Sequence, residues 1–248
     1  MLNDVRTPLD RILAIVERLR DPDIGCDWDR VQTFRTIAPY TIEEAYEVAD
    51  AIARDDMVAL KEELGDLLFQ VVLQARIAEQ RGNFGFADVA LAISEKMERR
   101  HPHLFGEADV RPDWEELKAA ERAPGSSALD GVAVALPALM RAEKLQKRAA
   151  RTGFDWPDAS GPRAKIDEEI LEIEAASTEA ERVDEVGDLL FAVVNYARHL
   201  GVDPEVALRG ANVKFEGRFR AIETEPGFAG LSLDEKERLW NDAKKHAR

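Results

Sequence analysis

The feature that most constrains this chain is an acidic pattern that occurs twice. Glu62-Glu63-Leu64-Gly65-Asp66-Leu67-Leu68-Phe69 returns as Asp184-Glu185-Val186-Gly187-Asp188-Leu189-Leu190-Phe191, an offset of 122 residues, and Val71, Val72 and Arg76 return as Val193, Val194 and Arg198. Shared apolar positions would follow from helical periodicity alone. A matching polar set does not: Glu43-Glu44-x-x-Glu47 is answered by Glu168-Glu169-x-x-Glu172, Lys96-x-x-x-Arg100 by Lys214-x-x-x-Arg218, and Trp114-x-x-x-Lys118 by Trp240-x-x-x-Lys244. The order is kept while the offsets drift over 125, 118 and 126 residues. A duplicated unit diverges in this way, because loops accept insertions that helices resist.

Each copy reads as helices. Ile37, Tyr40, Ala45, Val48 and Ile52 recur at helical spacing over 33–54, with Pro39 tolerable only near the first turn. Over 57–81, Leu60, Leu64, Leu67, Leu68, Val71, Val72 and Ala75 form a stripe expected to face a core, and Gly82 is a stop signal. A third amphipathic run covers 87–100 and a short fourth begins near Asp113, a set that suggests a four-helix bundle. Pro124, Gly125, Ser126 and Ser127 mark a linker, and Pro137 opens a helix to 151. The expected division is therefore 1–123, a linker over 124–136, and 137–248. The expected class is all-α, two tandem bundle-like domains.

Composition narrows the function. With 49 acidic against 34 basic residues the net charge is −15, so most of the surface repels a nucleic-acid backbone, and neither DNA nor RNA is expected as a partner. One cysteine, Cys26, allows no internal disulfide, and neither a membrane span nor a secretory leader is visible, which points to the cytoplasm.

On a helix, residues three apart project from one side, so Glu44 with Glu47 and Glu63 with Asp66 form two carboxylate pairs. If the two helices pack antiparallel, the pairs converge into a four-carboxylate cluster, and Glu169, Glu172, Glu185 and Asp188 do the same in the second copy. Clustered like charges are costly unless cations compensate, and hard oxygen ligands suit Mg²⁺ or Mn²⁺. Acidic helix faces are usually just solvated. The recurrence of the K-x-x-x-R and W-x-x-x-K pairs beside both clusters argues instead for a polyphosphate site, with Lys214 and Arg218 offering cations from one helix face and Lys244 another one turn from Trp240. Trp240 is equally readable as core or as a stacking surface. His101 and His103 read as the end of a helix.

These motifs resemble the all-α NTP pyrophosphatase superfamily, in particular MazG. The resemblance covers nearly the whole chain and includes Cys26-Asp27-Trp28-Asp29, Arg99-Arg100-His101-Pro102-His103-Leu104-Phe105, and Gly153-Phe154-Asp155-Trp156. Asp27 departs from it, standing in an expected loop where many members have proline. The resemblance implies tandem four-helix domains, a homodimer, Mg²⁺, and hydrolysis of nucleoside triphosphates, NTP and dNTP alike, to monophosphate and pyrophosphate in a housecleaning role. Carried onto this sequence, it assigns Glu169, Glu172, Glu185 and Asp188 to metal and catalysis. Lys165, Glu168, Lys214, Arg218, Trp240 and Lys244 go to the nucleotide. The first copy would use Glu44, Glu47, Glu63 and Asp66 with Lys96, Arg100, Trp114 and Lys118. Lys165 stands where the first copy has Tyr40, which favours the second copy as the working site. Two other readings stay open: an enzyme of this fold specialised for dUTP, dCTP or phosphoribosyl-ATP, and a non-catalytic metal- or partner-binding protein.

Overall fold

The computed structural model describes residues 7–106 and 125–246, and every regular element among them is helical. The chain divides into two compact units, Met1–Arg122 and Ala123–Arg248.

The first unit holds α1 (Pro8–Leu19), α2 (Asp27–Val31), α3 (Phe34–Ala53), α4 (Met57–Gln80), α5 (Phe86–Arg100) and α6 (Pro102–Phe105). Thr33 starts α3 by accepting from the Thr36 amide at 3.3 Å, while the Thr36 hydroxyl accepts from the Thr33 amide at 2.8 Å. The connection 54–56 then turns the chain back. Asp55 takes the left-handed conformation (φ 55°), which Asp tolerates better than most residues, and Asp56 caps α4 through the Val58 and Ala59 amides. The result is a helix hairpin, with α1 and α5 packed on α4. Val16, Ile37, Val72, Leu73 and Ile77 form its core, with Ile12, Leu13, Phe34, Phe69 and Phe86 packed around them.

The second unit holds α7 (Ala138–Ala150), α8 (Ser160–Ala175), α9 (Glu179–His199), α10 (Pro204–Glu223), the short 3₁₀ turn Phe228–Gly230, and α11 (Leu233–His246). Thr178 caps α9 by accepting from the Glu181 amide at 3.2 Å, and the Glu181 carboxylate accepts from the Thr178 amide at 3.1 Å. Here α8 and α9 make the hairpin, α7 and α10 lie on α9, and α11 lies on α10.

The structure adds one helix and changes two expectations. α1 was passed over, although Thr7 caps it and Pro8 sits in its first turn, while the helix expected from Asp113 lies outside the described residues. Pro39 lies in the second turn of α3, near the helix start as expected, and the helix continues through it without the amide bond to the Arg35 carbonyl. The α4 stripe does not face one core. Val72, Leu73, Ala75, Ile77 and Ala78 are buried, but Leu64, Leu68 and Val71 are exposed. Their counterparts on α9, Val186, Leu190 and Val193, are exposed as well. Finally, Asp27 is the first residue of α2 rather than part of a loop, a position where proline is equally at home, so the departure from the family pattern preserves local structure.

Candidate active site

The second hairpin places its carboxylates as helical spacing dictates. Glu169 and Glu172 stand on α8 and Glu185 and Asp188 on α9, and ligand oxygens of Glu169, Glu172 and Glu185 lie within 4.8 Å of one another. Asp188 stays outside that trio but close enough to help push the Glu185 carboxyl up. Glu169 is the centre of the group: it is 1% exposed, and its Oε2 has no hydrogen-bond partner. A buried carboxylate oxygen left unpaired is costly unless a cation faces it.

Lys165 is the nearest cation. Its Nζ lies 2.6 Å from Glu169 Oε1, 2.8 Å from Glu168 Oε1 and 3.8 Å from Glu172 Oε2. These pairs hold the lysine well above its ordinary range, so it stays charged. One ammonium does not neutralise the group. Hydrogen bonding to Glu169 raises the Glu172 pKa, and desolvation raises that of Glu185.

The first hairpin builds a related cluster from Glu44, Glu63 and Asp66, again within 4.8 Å. Glu47 is the residue left at its edge, where it raises the pKa values of Glu44 and Glu63, although desolvation is the larger cause for both. Gln70, one turn beyond Asp66, donates to Glu44 Oε1 at 3.4 Å. Where the second unit has Lys165, Tyr40 packs edge-on against Trp28 with centroids 5.8 Å apart.

Lys165, Glu169 and Asp188 also line a cleft of about 650 Å³, which sequence reasoning missed. Its other walls include Phe154, Trp156 and Phe191, with the carboxamides of Gln146 and Asn195 among them. Gln146 donates to the Phe191 carbonyl at 2.8 Å, while the Asn195 oxygen accepts from Arg198 Nε at 3.0 Å and Nη2 at 2.6 Å. Acidic groups thus adjoin a partly apolar, aromatic-walled cavity of ligand size. A sequence signal existed, because the dipeptide Asp27-Trp28 recurs as Asp155-Trp156 in the same position before each hairpin.

The remaining candidates stand on other elements. Lys214 and Arg218 stand on α10, Trp240 and Lys244 on α11, and none of the four is among the residues that line the cleft. Arg218 lies over the Trp240 ring at 5.9 Å, and its buried Nε has no partner. Phe215 also packs against Trp240, with ring centroids 5.2 Å apart. In the first unit Lys96 and Arg100 are half-buried on α5, while Trp114 and Lys118 lie outside the described residues. His101 is the C-cap of α5, and its Nδ1 lies 2.8 Å from the Met97 carbonyl oxygen.

Comparison with known proteins gives a consistent picture. Residues 32–105 match the profile of the MazG nucleotide pyrophosphohydrolase domain, and residues 136–212 match that of phosphoribosyl-ATP pyrophosphohydrolase. The chain is 50% identical over 255 residues to the nucleoside triphosphate pyrophosphohydrolase of Escherichia coli K12, spanning 96% of this chain and 97% of the relative. It is 43% identical to the nucleoside triphosphate pyrophosphohydrolase/pyrophosphatase MazG of Thermotoga maritima, spanning 95% of each. It is also 35% identical to a nucleoside triphosphate pyrophosphohydrolase of Mycobacterium tuberculosis, over 81% of this chain and 60% of that one.

Proposed function

The chain belongs to the MazG family of nucleoside triphosphate pyrophosphohydrolases, and from that premise we propose that its second unit cleaves NTPs and dNTPs between the α and β phosphates with Mg²⁺. One observation carries the placement: the buried, half-paired carboxylate of Glu169 lines the same cleft as Trp156 and Phe191. Charge for a triphosphate and surface for a base adjoin.

The donor set fits Mg²⁺. Glu169, Glu172 and Glu185, with Asp188 beside them, would hold it, since Glu169 Oε2 lacks any protein partner and all the donors are hard oxygens. When bound, it supplies positive charge that offsets both the clustered carboxylates and the polyphosphate oxygens. One carboxylate of the cluster orients the attacking water and takes its proton. Lys165 turns from the carboxylates toward a phosphate oxygen, and Lys214, Arg218 and Lys244 hold the leaving pyrophosphate. The aromatic walls hold the base, and the nucleoside monophosphate remains.

Several further parts of this reading have physical support. The exposed, repeated stripes Leu64, Leu68, Val71 and Val186, Leu190, Val193 suit burial between two copies, so the working form is a homodimer. Among the described residues no helix is long and apolar enough to cross a membrane, and we place the enzyme in the cytoplasm, clearing the nucleotide pool. The match of residues 136–212 to phosphoribosyl-ATP pyrophosphohydrolase favours one alternative substrate. A single panel decides between the two readings: ATP, GTP, dGTP, dCTP, dUTP and phosphoribosyl-ATP with Mg²⁺, with products separated by chromatography. Monophosphate and pyrophosphate from several NTPs support the broad reading; turnover of phosphoribosyl-ATP alone would replace it.

A further inference from the structure

The cleft wall that carries Trp156 belongs to the loop between α7 and α8, and its position is set by one partly exposed ion pair. Arg198, on α9, has a side chain only 12% exposed and donates through Nη1 and Nη2 to the two oxygens of Asp155 at 2.9 and 2.5 Å. The same guanidinium donates to the Asn195 oxygen. Asp155 Oδ1 in turn accepts from the Trp156 backbone amide at 3.0 Å, and His199 Nε2 lies 3.1 Å from it. The chain of contacts therefore runs from α9 through Asp155 into the backbone of Trp156. The indole also lies tight against Gly161: a Cβ there, in the first turn of α8, would meet Trp156 Cδ1, Cγ and Nε1 at 2.2, 2.3 and 2.7 Å.

The first unit supplies an internal comparison. It has the same Asp-Trp dipeptide and, at Arg76, the counterpart of Arg198, yet the pieces are wired differently. Asp27 pairs with Arg30, Arg76 pairs with Glu79 at 2.6 Å and Glu17 at 3.4 Å, and Trp28 packs on Tyr40. Helix packing does not demand the Asp155–Arg198 pair, since the related unit folds without one. The pair is found where the dipeptide forms a wall of the described cleft.

We infer that Asp155 and Arg198 are positioning residues that hold Trp156 and Asn195 in place for the nucleobase and take no part in holding the triphosphate. The inference rests on the reading of this cleft as the nucleotide site. A bidentate pair fixes both direction and distance, as a lysine in place of the arginine cannot. Loss of the clamp lets the wall move, so base-dependent affinity falls while the carboxylates and Lys165 stay as they are.

The test compares ATP with inorganic tripolyphosphate, which carries the phosphates without a base. Three variants of the full chain are measured: Asp155→Asn, Arg198→Lys and Gly161→Ala. Gly161→Ala displaces the indole without touching the ion pair and, as a helical Gly-to-Ala change, adds helix propensity. Each is expected to raise the KM for ATP about tenfold or more with kcat within about threefold, the signature of lost ground-state binding. The inhibition constant of tripolyphosphate should not change. Binding of an α,β-methylene ATP analogue should alter tryptophan emission in the parent protein, with this change lost in Trp156→Phe and reduced in all three variants. An unchanged KM in Gly161→Ala and Arg198→Lys would overturn the inference, as would a weakening of tripolyphosphate equal to that of ATP. Absence of turnover in the parent chain, or failure of tripolyphosphate to inhibit it, would instead count against the assignment of the cleft.

Discussion

At the scale of the residue, the acid cluster is an arrangement under electrostatic stress. Glu172 and Glu185 are held above the ordinary carboxylate range, as are Glu44 and Glu63 in the first unit. A carboxyl whose folded pKa is raised favours folding most when protonated, and that contribution is lost as pH rises through the folded value. Asp155, Asp158 and Glu181 are shifted the other way, so they withdraw stability only in more acidic solution, below the unfolded carboxylate range. The metal-free protein should therefore melt at a higher temperature near pH 5 than near pH 7, and the difference should shrink in Glu172→Gln. The gain in melting temperature from Mg²⁺ should run the opposite way, growing with pH. Calorimetry across that window checks both signs. Catalysis should depend on the same charges: Glu172→Gln and Asp188→Asn should lower kcat by about 10² or more while the circular dichroism of the fold is kept.

At the scale of the element, what could be read from the sequence was whatever one helix determines by itself. The carboxylate pairs were legible because a spacing of three fixes a face before any tertiary contact exists, as with Glu169 and Glu172 or Glu185 and Asp188. The limits of α3 and α4 were legible from the apolar spacing over 33–54 and 57–81 and from the stop at Gly82. The cleft was not legible, because Gln146 on α7, Trp156 in a loop and Asn195 on α9 meet only through packing. The division of the α4 stripe was hidden for a related reason: an apolar residue looks the same whether its own core or a second copy covers it. If a second copy does so, Leu68→Glu or Leu190→Glu should shift light scattering from dimer toward monomer with helix content retained. An unchanged mass for the double variant would show that these faces pair with nothing.

At the scale of the whole molecule, duplication has left two hairpins with similar carboxylates and different surroundings. The second has Lys165 on its carboxylates and a clamped Trp156 in the cleft; the first has Tyr40 packed against Trp28. Under the proposed function both clusters take a cation, so metal affinity alone does not separate them, and the expected stoichiometry includes metal at each. Removal of metal with excess EDTA should abolish turnover, and added Mg²⁺ should restore it.

The central claim is that the second unit performs the cleavage. Its most direct test is product analysis with ATP and dGTP in the presence of Mg²⁺, comparing the full-length parent with Glu47→Gln and Glu172→Gln. The account predicts monophosphate and pyrophosphate, with no diphosphate, from the parent and at a similar rate from Glu47→Gln, and turnover at least about 10² lower in Glu172→Gln. Loss of turnover in Glu47→Gln with full activity in Glu172→Gln, both proteins folded, would contradict it.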